Sequence, residues 1–384
     1  MDRGAVNQYL TLLRQSYQVT SYQEKQKIID VVGLNFGWHR KSVIRALNRP
    51  DSQRKSHPGR KRKYSAGAII HLKKVWLKMD QMCSKRMRAA LPRWLKDYNH
   101  CSDAIKEELM SMGASTIDRY LRSYKAQLKR KNNTGTRPGS DYFKNRIPIK
   151  PLDHNVHEAG VVEADTVAHC GDSLSGVFAW SLTLTDVKTG WTEVRAQWGK
   201  SGIGVVNGIT NIEENLPFKI KEFCCDNGSE FLNHQLLNYM SQLGQAHKIK
   251  RGRPYRKNDQ CHVEQKNYTH VRQLFGYHRI DQKELIELMN DIYANEWSQL
   301  QNYFMPQMKL IRKTRIGSKY KREYSKPMTP YDRIMAEPTI SSEVKARLKR
   351  QYDNLNPFAL KEALDRKVNR FFKLVNFKPI RNAS

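Results

Sequence analysis

The sequence predicts a mixed α/β domain in its middle, an all-helical region before it and a mainly helical region after it. Three observations predict this. Residues 160–169, 176–186 and 190–198 are runs of apolar and β-branched residues bounded by turn signals. From 201 onward, strand-like runs at 220–226 and 246–250 alternate with helical patterns at 201–215, 230–244 and 258–275. Residues 5–49, 64–130 and the stretch after 281 carry apolar residues at helical spacing instead.

A chain of 384 residues is long enough for two or three domains with a real core. Its 68 Lys and Arg outweigh 37 Asp and Glu, a formal net charge of +31. So basic a chain has the electrostatic footprint of a polyanion binder, and double-stranded DNA is the expected partner. No apolar run approaches the roughly 20 residues needed to span a bilayer. The N-terminal MDRGAVNQYL lacks the apolar region of a signal peptide. The expectation is therefore no membrane partner and a cytoplasmic, nucleoid-associated protein. The six cysteines include no C-x-x-C pair and read as small core residues of a reducing cytosol. A zinc site from His154, His157 and two cysteines fits no zinc spacing.

Residues 1–50 read as a helix-turn-helix. SYQEKQKIIDVV is one amphipathic helix, Gly33 to Gly37 a turn, and WHRKSVIRALNR a second helix with Val43, Ile44 and Leu47 inward. His39, Arg40, Lys41 and Arg45 then face outward, toward a major groove. Residues 51–63 form a Pro/Gly-broken basic linker or arm, with Arg60, Lys61, Arg62 and Lys63 tracking phosphates along a minor groove. Residues 64–130 repeat the helical style as a second DNA-binding unit, with helices near 65–80, 84–99 and 103–112 and a last one in ASTIDRYLRSYKAQLKRK. There Gly113 ends one helix and Ser115 caps the next; Ser115, Thr116, Arg119 and Arg122 are candidates for base or phosphate contact. Residues 131–155 are a polar, Gly/Pro-bearing linker.

The central region, 156–280, holds three carboxylates of interest. Asp165 lies in GVVEADTVAH, Asp226 in IKEFCCDNGSEF, and Glu264 in NDQCHVEQKNYTHVRQLFG. An unpaired charge within or at the end of an apolar strand is costly unless a cation offsets it. Glu264 belongs to a helix, in line with Gln260, Tyr268 and Val271 at one-turn spacing. Two strand aspartates and a helix glutamate make an all-oxygen set that suits Mg²⁺ or Mn²⁺ and not zinc. Glu163 shares the strand face of Asp165 and reads as an extra ligand or a salt-bridge partner. Asn227-Gly228 is a tight turn aiming Asp226 into the site, and Glu230 suits the first turn of the next helix. RGRP at 251–254 places Arg251 and Arg253 in a phosphate-contacting loop.

Residues 281–384 are the helical C-terminal region. DQKELIELMNDIYANEWSQLQNYF opens on a capping box, Asp281 with Glu284. KLIRKTRIGSKYKREYSK, 309–326, is extended and basic with interleaved aromatics, which suits a nucleic-acid backbone. NPFALKEALDRKVNRFFKLVNF is an amphipathic helix with Asn356 as its cap.

Residues 160–275 resemble the catalytic core of the retroviral-integrase superfamily, specifically the DDE transposases of bacterial insertion sequences. Sixty residues separate Asp165 from Asp226 and 37 separate Asp226 from Glu264. DNG followed by Glu230-Phe231, and VEQKN around Glu264, also resemble the family pattern. The resemblance implies an RNase H-like α/β core preceded by helix-turn-helix DNA-binding units. It implies Asp165, Asp226 and Glu264 as catalytic residues holding two Mg²⁺ (or Mn²⁺) ions, Asp165 bridging them at about 3.5–4 Å separation. The implied activity is metal-dependent cleavage at the ends of an element and strand transfer of the 3′-hydroxyl into target DNA. Terminal inverted repeats and target DNA are the implied partners, bound by a homo-oligomer. At one place the chain departs from the pattern: many relatives carry Lys or Arg seven residues after the glutamate, where this chain has Val271. Arg272, adjacent and about 100° further round an ideal helix, is the candidate DNA contact there. Two other readings stay open, a domesticated DNA-binding regulator with an inactive core and an RNase H-like nuclease. The carboxylate triplet speaks against the first and the basic helical region against the second.

Overall fold

The computed structural model describes residues 3–49, 63–127, 156, 158–226, 228–231, 233–242, 249–251 and 261–376. The chain forms two compact units, Met1–Lys63 and Tyr64–Ser384. In the first, α1 (Arg3–Val19), α2 (Tyr22–Phe36) and α3 (Arg40–Leu47) pack around Leu10, Tyr17, Ile29, Val32, Val43 and Leu47. A capping box of Ser21 and Glu24 starts α2. The helix does not stop at Gly33, as expected from the sequence, but runs on to Phe36. Gly37 ends it by taking a left-handed φ of 63° and turning its amide back to the Gly33 carbonyl. The turn into α3 is thus shorter than expected, and His39 caps α3 by accepting from the Lys41 amide.

The second unit begins with α4 (Ala66–Lys78), α5 (Ser84–Lys96), α6 (Asp103–Ser111) and α7 (Ala114–Gln127), all close to their expected ranges. The Gly113 carbonyl accepts from the Thr116 and Ile117 amides, so Ser115 lies inside the first turn of α7 and is not its cap. These helices share one apolar core with the rest of the unit. Trp94 of α5 donates to the Phe304 carbonyl and Arg93 pairs with Asp332. Trp94 also meets Phe358 edge-on at 5.1 Å, a contact worth about 0.5–1.5 kcal/mol beyond its burial.

The central sheet has the order β3-β2-β1-β4-β5. Its strands are β1 (Val161–Ala168), β2 (Ala179–Asp186), β3 (Thr192–Trp198), β4 (Glu222–Cys225) and β5 (Ile249–Arg251). The first three form an antiparallel meander; β4 lies parallel to β1, and β5 parallel to β4. The helix α8 (Gly202–Glu213) leads into β4, and α9 (His234–Gln242) lies between β4 and β5. Antiparallel strands first and strand–helix alternation after them is the succession read from the sequence. Cys224 and Cys225 face opposite ways, yet both are buried, because both faces of this part of the sheet are covered.

A long helix, α11 at 285–304, closes the open edge of β3. Asn290 accepts from the Ala196 amide and donates to its carbonyl, and Asn302 does the same for Thr192. Two side-chain amides thus stand in for a neighbouring strand where backbone groups would otherwise be left unpaired. The expected capping box at the start of α11 is absent. The helix begins at Leu285, and Asp281 instead pairs with Arg279 at 3.1 Å.

The helix α10, 261–275, is α-helical to Lys266, π-wound over Asn267–Arg272 and α-helical again from Gln273. Residues 309–326 are not a single extended segment: β6 (Leu310–Ile316) and β7 (Lys319–Tyr324) pair as an antiparallel hairpin, nearly all of it exposed. The helices α12 (Pro330–Ala336), α13 (Ser342–Asp353) and α14 (Pro357–Asn376) complete the unit. Asn356 caps α14 as expected, accepting from the Phe358 and Ala359 amides. Among the described residues, no helix is long and apolar enough to cross a membrane.

Candidate active site

Sheet register brings the two aspartates together. In the parallel pairing of β1 with β4, Ala164 stands opposite Cys225, the last residue of β4, so Asp165 and Asp226 are the next residues along each segment. Paired residues on parallel strands project from the same face, and neighbouring strands lie about 4.8 Å apart. Asp165 Oδ1 accepts from the Thr166 amide at 2.8 Å, and Oδ2 from Asn267 Nδ2 at 2.5 Å. Asp226 Oδ1 accepts from the Gly228 amide at 2.8 Å. A Cβ at Gly228 would lie 2.8 Å from that same oxygen and closer still to Glu230 Oε2, so a side chain there would have to displace both carboxylates.

Glu230 is the third carboxylate at this place. It precedes α9 and is not in that helix's first turn, contrary to the sequence reading; its side chain is 4% exposed. Thr166 Oγ1 donates to it at 2.6 Å and Lys200 Nζ approaches it at 3.0 Å. The cluster is under electrostatic tension. Burial and then the Asp226 charge push Asp165 up to about 7, while burial and then Glu230 push Asp226 up to about 6. Glu163, fully buried one pleat earlier, is pushed up to about 8 by burial, although the His262 and Val263 amides both donate to its Oε2. It therefore anchors the N-terminal end of α10 to β1 and forms no salt bridge there.

Glu264 is placed differently. It is exposed on α10, close enough to Glu163 for its charge to raise that carboxyl further, and the residue that reaches Asp165 is Asn267, three positions on. Among the described residues, no three His, Cys, Asp or Glu side chains stand close enough together to hold one ion. The oxygens around Asp165 nevertheless suit a hard cation. Two aspartates repel each other, and the buried Asn267 Oδ1 has no donor. A divalent ion would relieve both.

The one-turn alignment of Glu264, Tyr268 and Val271 does not hold. Glu264 and Tyr268 are exposed while Val271 is fully buried. The π-wound turn takes more residues per turn than an α-helix and so rotates everything after Asn267. Arg272 is turned inward by the same winding. It donates to the Ala168 carbonyl at 2.9 Å and to Gly276 at 3.3 Å, and stacks on Tyr277 at 4.8 Å.

The remaining expected contact residues are spread over both units. In the first, His39, Arg40, Lys41, Arg45 and Lys63 are exposed, with Arg40 paired to Asp30 at 3.2 Å. In the second, Ser115, Arg119 and Arg122 are exposed on α7 and Thr116 is half-buried. Arg251 lies in β5. Arg60, Lys61, Arg62, Arg253, Gln260, Asn227, His154, His157 and the 131–155 linker lie outside the described residues. Thr166, Lys200 and Asn267 escaped the sequence reading. Asn267 had a signal, being one turn from Glu264; Lys200 had none, since only tertiary packing brings it to Glu230.

No family model matches the sequence. The chain is 32% identical over 325 residues to the uncharacterized protein y4rM of Sinorhizobium fredii (strain NBRC 101917 / NGR234), across 83% of this chain and 91% of that one. Among solved structures, the catalytic core domain of BIV integrase is 15% identical, with a TM-score of 0.28, 45% of this chain and 91% of that chain covered. The HTLV-2 integrase catalytic core domain in complex with magnesium is 14% identical, with a TM-score of 0.28, 39% of this chain and 91% of that chain covered. At TM-scores this low neither likeness bears on the fold or the chemistry of this chain.

Proposed function

We propose that this chain, which belongs to the same family as the Sinorhizobium fredii protein y4rM, is a DDE-type polynucleotidyl transferase with an RNase H-like core. The activity is cleavage at the ends of a DNA element and transfer of the freed 3′-hydroxyl into target DNA. One observation carries the reading: Asp165 in β1 and Asp226 just past the end of the parallel β4, both picked out by motif and spacing, lie close enough for the Asp226 charge to raise the Asp165 pKa. Pairs of carboxylates that resist ionising together are characteristic of functional sites.

Asp165 and Asp226 hold the divalent cation, Mg²⁺ or Mn²⁺, with Glu264 as the third oxygen donor and two ions in the working site. When bound, the ions supply positive charge that activates the attacking oxygen and offsets charge on the leaving 3′-oxygen. The chain's own residues organise this place. Asn267 fixes the Asp165 carboxylate, and Glu163 fixes the start of the helix that bears Glu264. Thr166 and Lys200 hold Glu230 near Asp226, and Lys200 offsets part of the negative charge gathered there. The exposed basic faces of α3 and α7 bind the terminal repeats, in keeping with the net charge of +31.

The test is a labelled terminal-repeat duplex incubated with protein, target plasmid and Mg²⁺. Nicked ends and joined products are expected, and Asp165→Asn removes both while a gel shift on the same duplex is retained. Joined products from Asp165→Asn would refute the assignment, and cleavage with no joining would favour the nuclease reading.

A further inference from the structure

A second site lies elsewhere in the Tyr64–Ser384 unit. Beneath the base of the β6–β7 hairpin is a cavity of about 600 Å³, lined by neither Asp165 nor Asp226. Leu310 and Tyr324, both exposed, lie at its rim. Its wall gathers cations from three parts of the chain: Arg86 of α5, Lys266 of α10 and Lys309 at the hairpin base. Arg333 of α12 stands behind them and bonds to the Gln307 carbonyl at 2.6 Å.

Among the described residues, these cations meet no carboxylate within ion-pair distance, although the Asp186 and Glu163 charges favour the Lys309 ammonium from further off. Arg86 donates to the Pro306 carbonyl, Lys266 to Gln307 Oε1 at 2.5 Å, Lys309 to the Val187 and Lys188 carbonyls, and Arg333 to Thr189 as well. The acids on the same wall are already engaged. Asp186 accepts from Gly160 and Thr189, and Asp80 pairs with Lys361. One donor is left over, Gln307 Nε2, buried without an acceptor, and His270, 2% exposed, has a ring nitrogen without a partner. Neutral carbonyls offset only part of the cost of gathering like charges away from water. Asp186 offsets Lys309 at longer range, and among the described residues no carboxylate pairs with Arg86 or Lys266.

We infer that this cavity binds a phosphate group, whose oxygens accept from Arg86, Lys266, Lys309 and the spare Gln307 amide. Arginine presents a planar fork and lysine a compact point charge, the two ways proteins commonly hold phosphate. A volume of about 600 Å³ is that of a small-molecule pocket and far exceeds the needs of a halide. The group comes either from a DNA backbone reaching in past the hairpin or from a free phosphorylated molecule. This site stands on its own residues and does not depend on the proposed activity.

Isothermal titration of the full-length protein with inorganic phosphate and with pyrophosphate tests it, with chloride at matched ionic strength as control. Saturable binding of one anion per chain is expected, weakened roughly tenfold or more by Lys266→Met and by Lys309→Gln, because each removes a charged hydrogen-bond donor. Lys309, at the more accessible end, keeps the test valid should Lys266→Met fail to fold, which thermal unfolding reports. Pyrophosphate that displaces a bound duplex identifies the phosphate as DNA's own; binding alongside the duplex identifies a free phosphorylated ligand. No saturable heat with either anion, or affinities unchanged in a folded variant, would show that the cations serve only to clamp residues 306–307.

Discussion

The two halves of the candidate active site are built on different principles. Asp165 lies in β1 and Asp226 directly follows the parallel β4, where register leaves little freedom: once Ala164 pairs with Cys225, the next residue on each segment is a carboxylate. Glu264 sits on a helix whose winding changes from α to π three residues later, and it is Asn267 that touches Asp165. A strand-borne residue inherits its position from a ladder of backbone bonds. A helix-borne one depends on the phase of every turn between it and its anchor, and here that anchor is Glu163 holding the His262 and Val263 amides.

The sharpest way to break this comparison is to neutralise the two rival third carboxylates. Glu264→Gln is expected to lower cleavage in Mg²⁺ by roughly a hundredfold or more, the scale of losing one essential electrostatic group. Glu230→Gln is expected to cost less, since Lys200 already balances that charge. A Glu264→Gln enzyme that cuts at the wild-type rate while Glu230→Gln is dead would move the third ligand from the helix to the loop before α9.

A smaller effect is expected at Arg272. Its guanidinium ties α10 to the end of β1 and to Gly276, so Arg272→Ala should lower thermal stability. Strand transfer should fall less than about tenfold, under about 1.4 kcal/mol in barrier. A loss of several orders of magnitude with the melting temperature unchanged would show that Arg272 contacts DNA after all.

The same contrast explains what could be read from the sequence. Strands β1 to β5 were legible because apolar and β-branched runs bounded by turn residues are local signals, and the aspartates came with them. The helices of both units were legible from their apolar stripes, as with Val43 and Leu47. The π-wound turn was not, because no residue in NYTHVR announces a change of winding. Nor were the roles of Asn290 and Asn302: a buried asparagine reads as a flaw until the unpaired edge of β3 that it satisfies is known. The hairpin at 310–324 read as one extended basic segment because its basic residues hid the pairing, and Gly317, at φ 59°, marks its turn.

The central claim is that Asp165 and Asp226 together form a divalent-cation site, and thermal unfolding with and without Mg²⁺ tests it most directly. The pair's folded-state pKa values, about 7 and about 6, lie above the ordinary carboxylate value. Ionising the pair therefore costs stability as pH rises from about 4 toward 7, and a bound cation removes that cost. Below pH 6 protons compete with the ion. The gain in melting temperature from Mg²⁺ should thus be small at pH 5.5 and largest near pH 8, with about 2.7 kcal/mol available at a hundred times the Kd. Asp226→Asn should abolish the gain at both pH values. An equal gain in wild type and Asp226→Asn, or none in wild type at pH 8, would contradict the account.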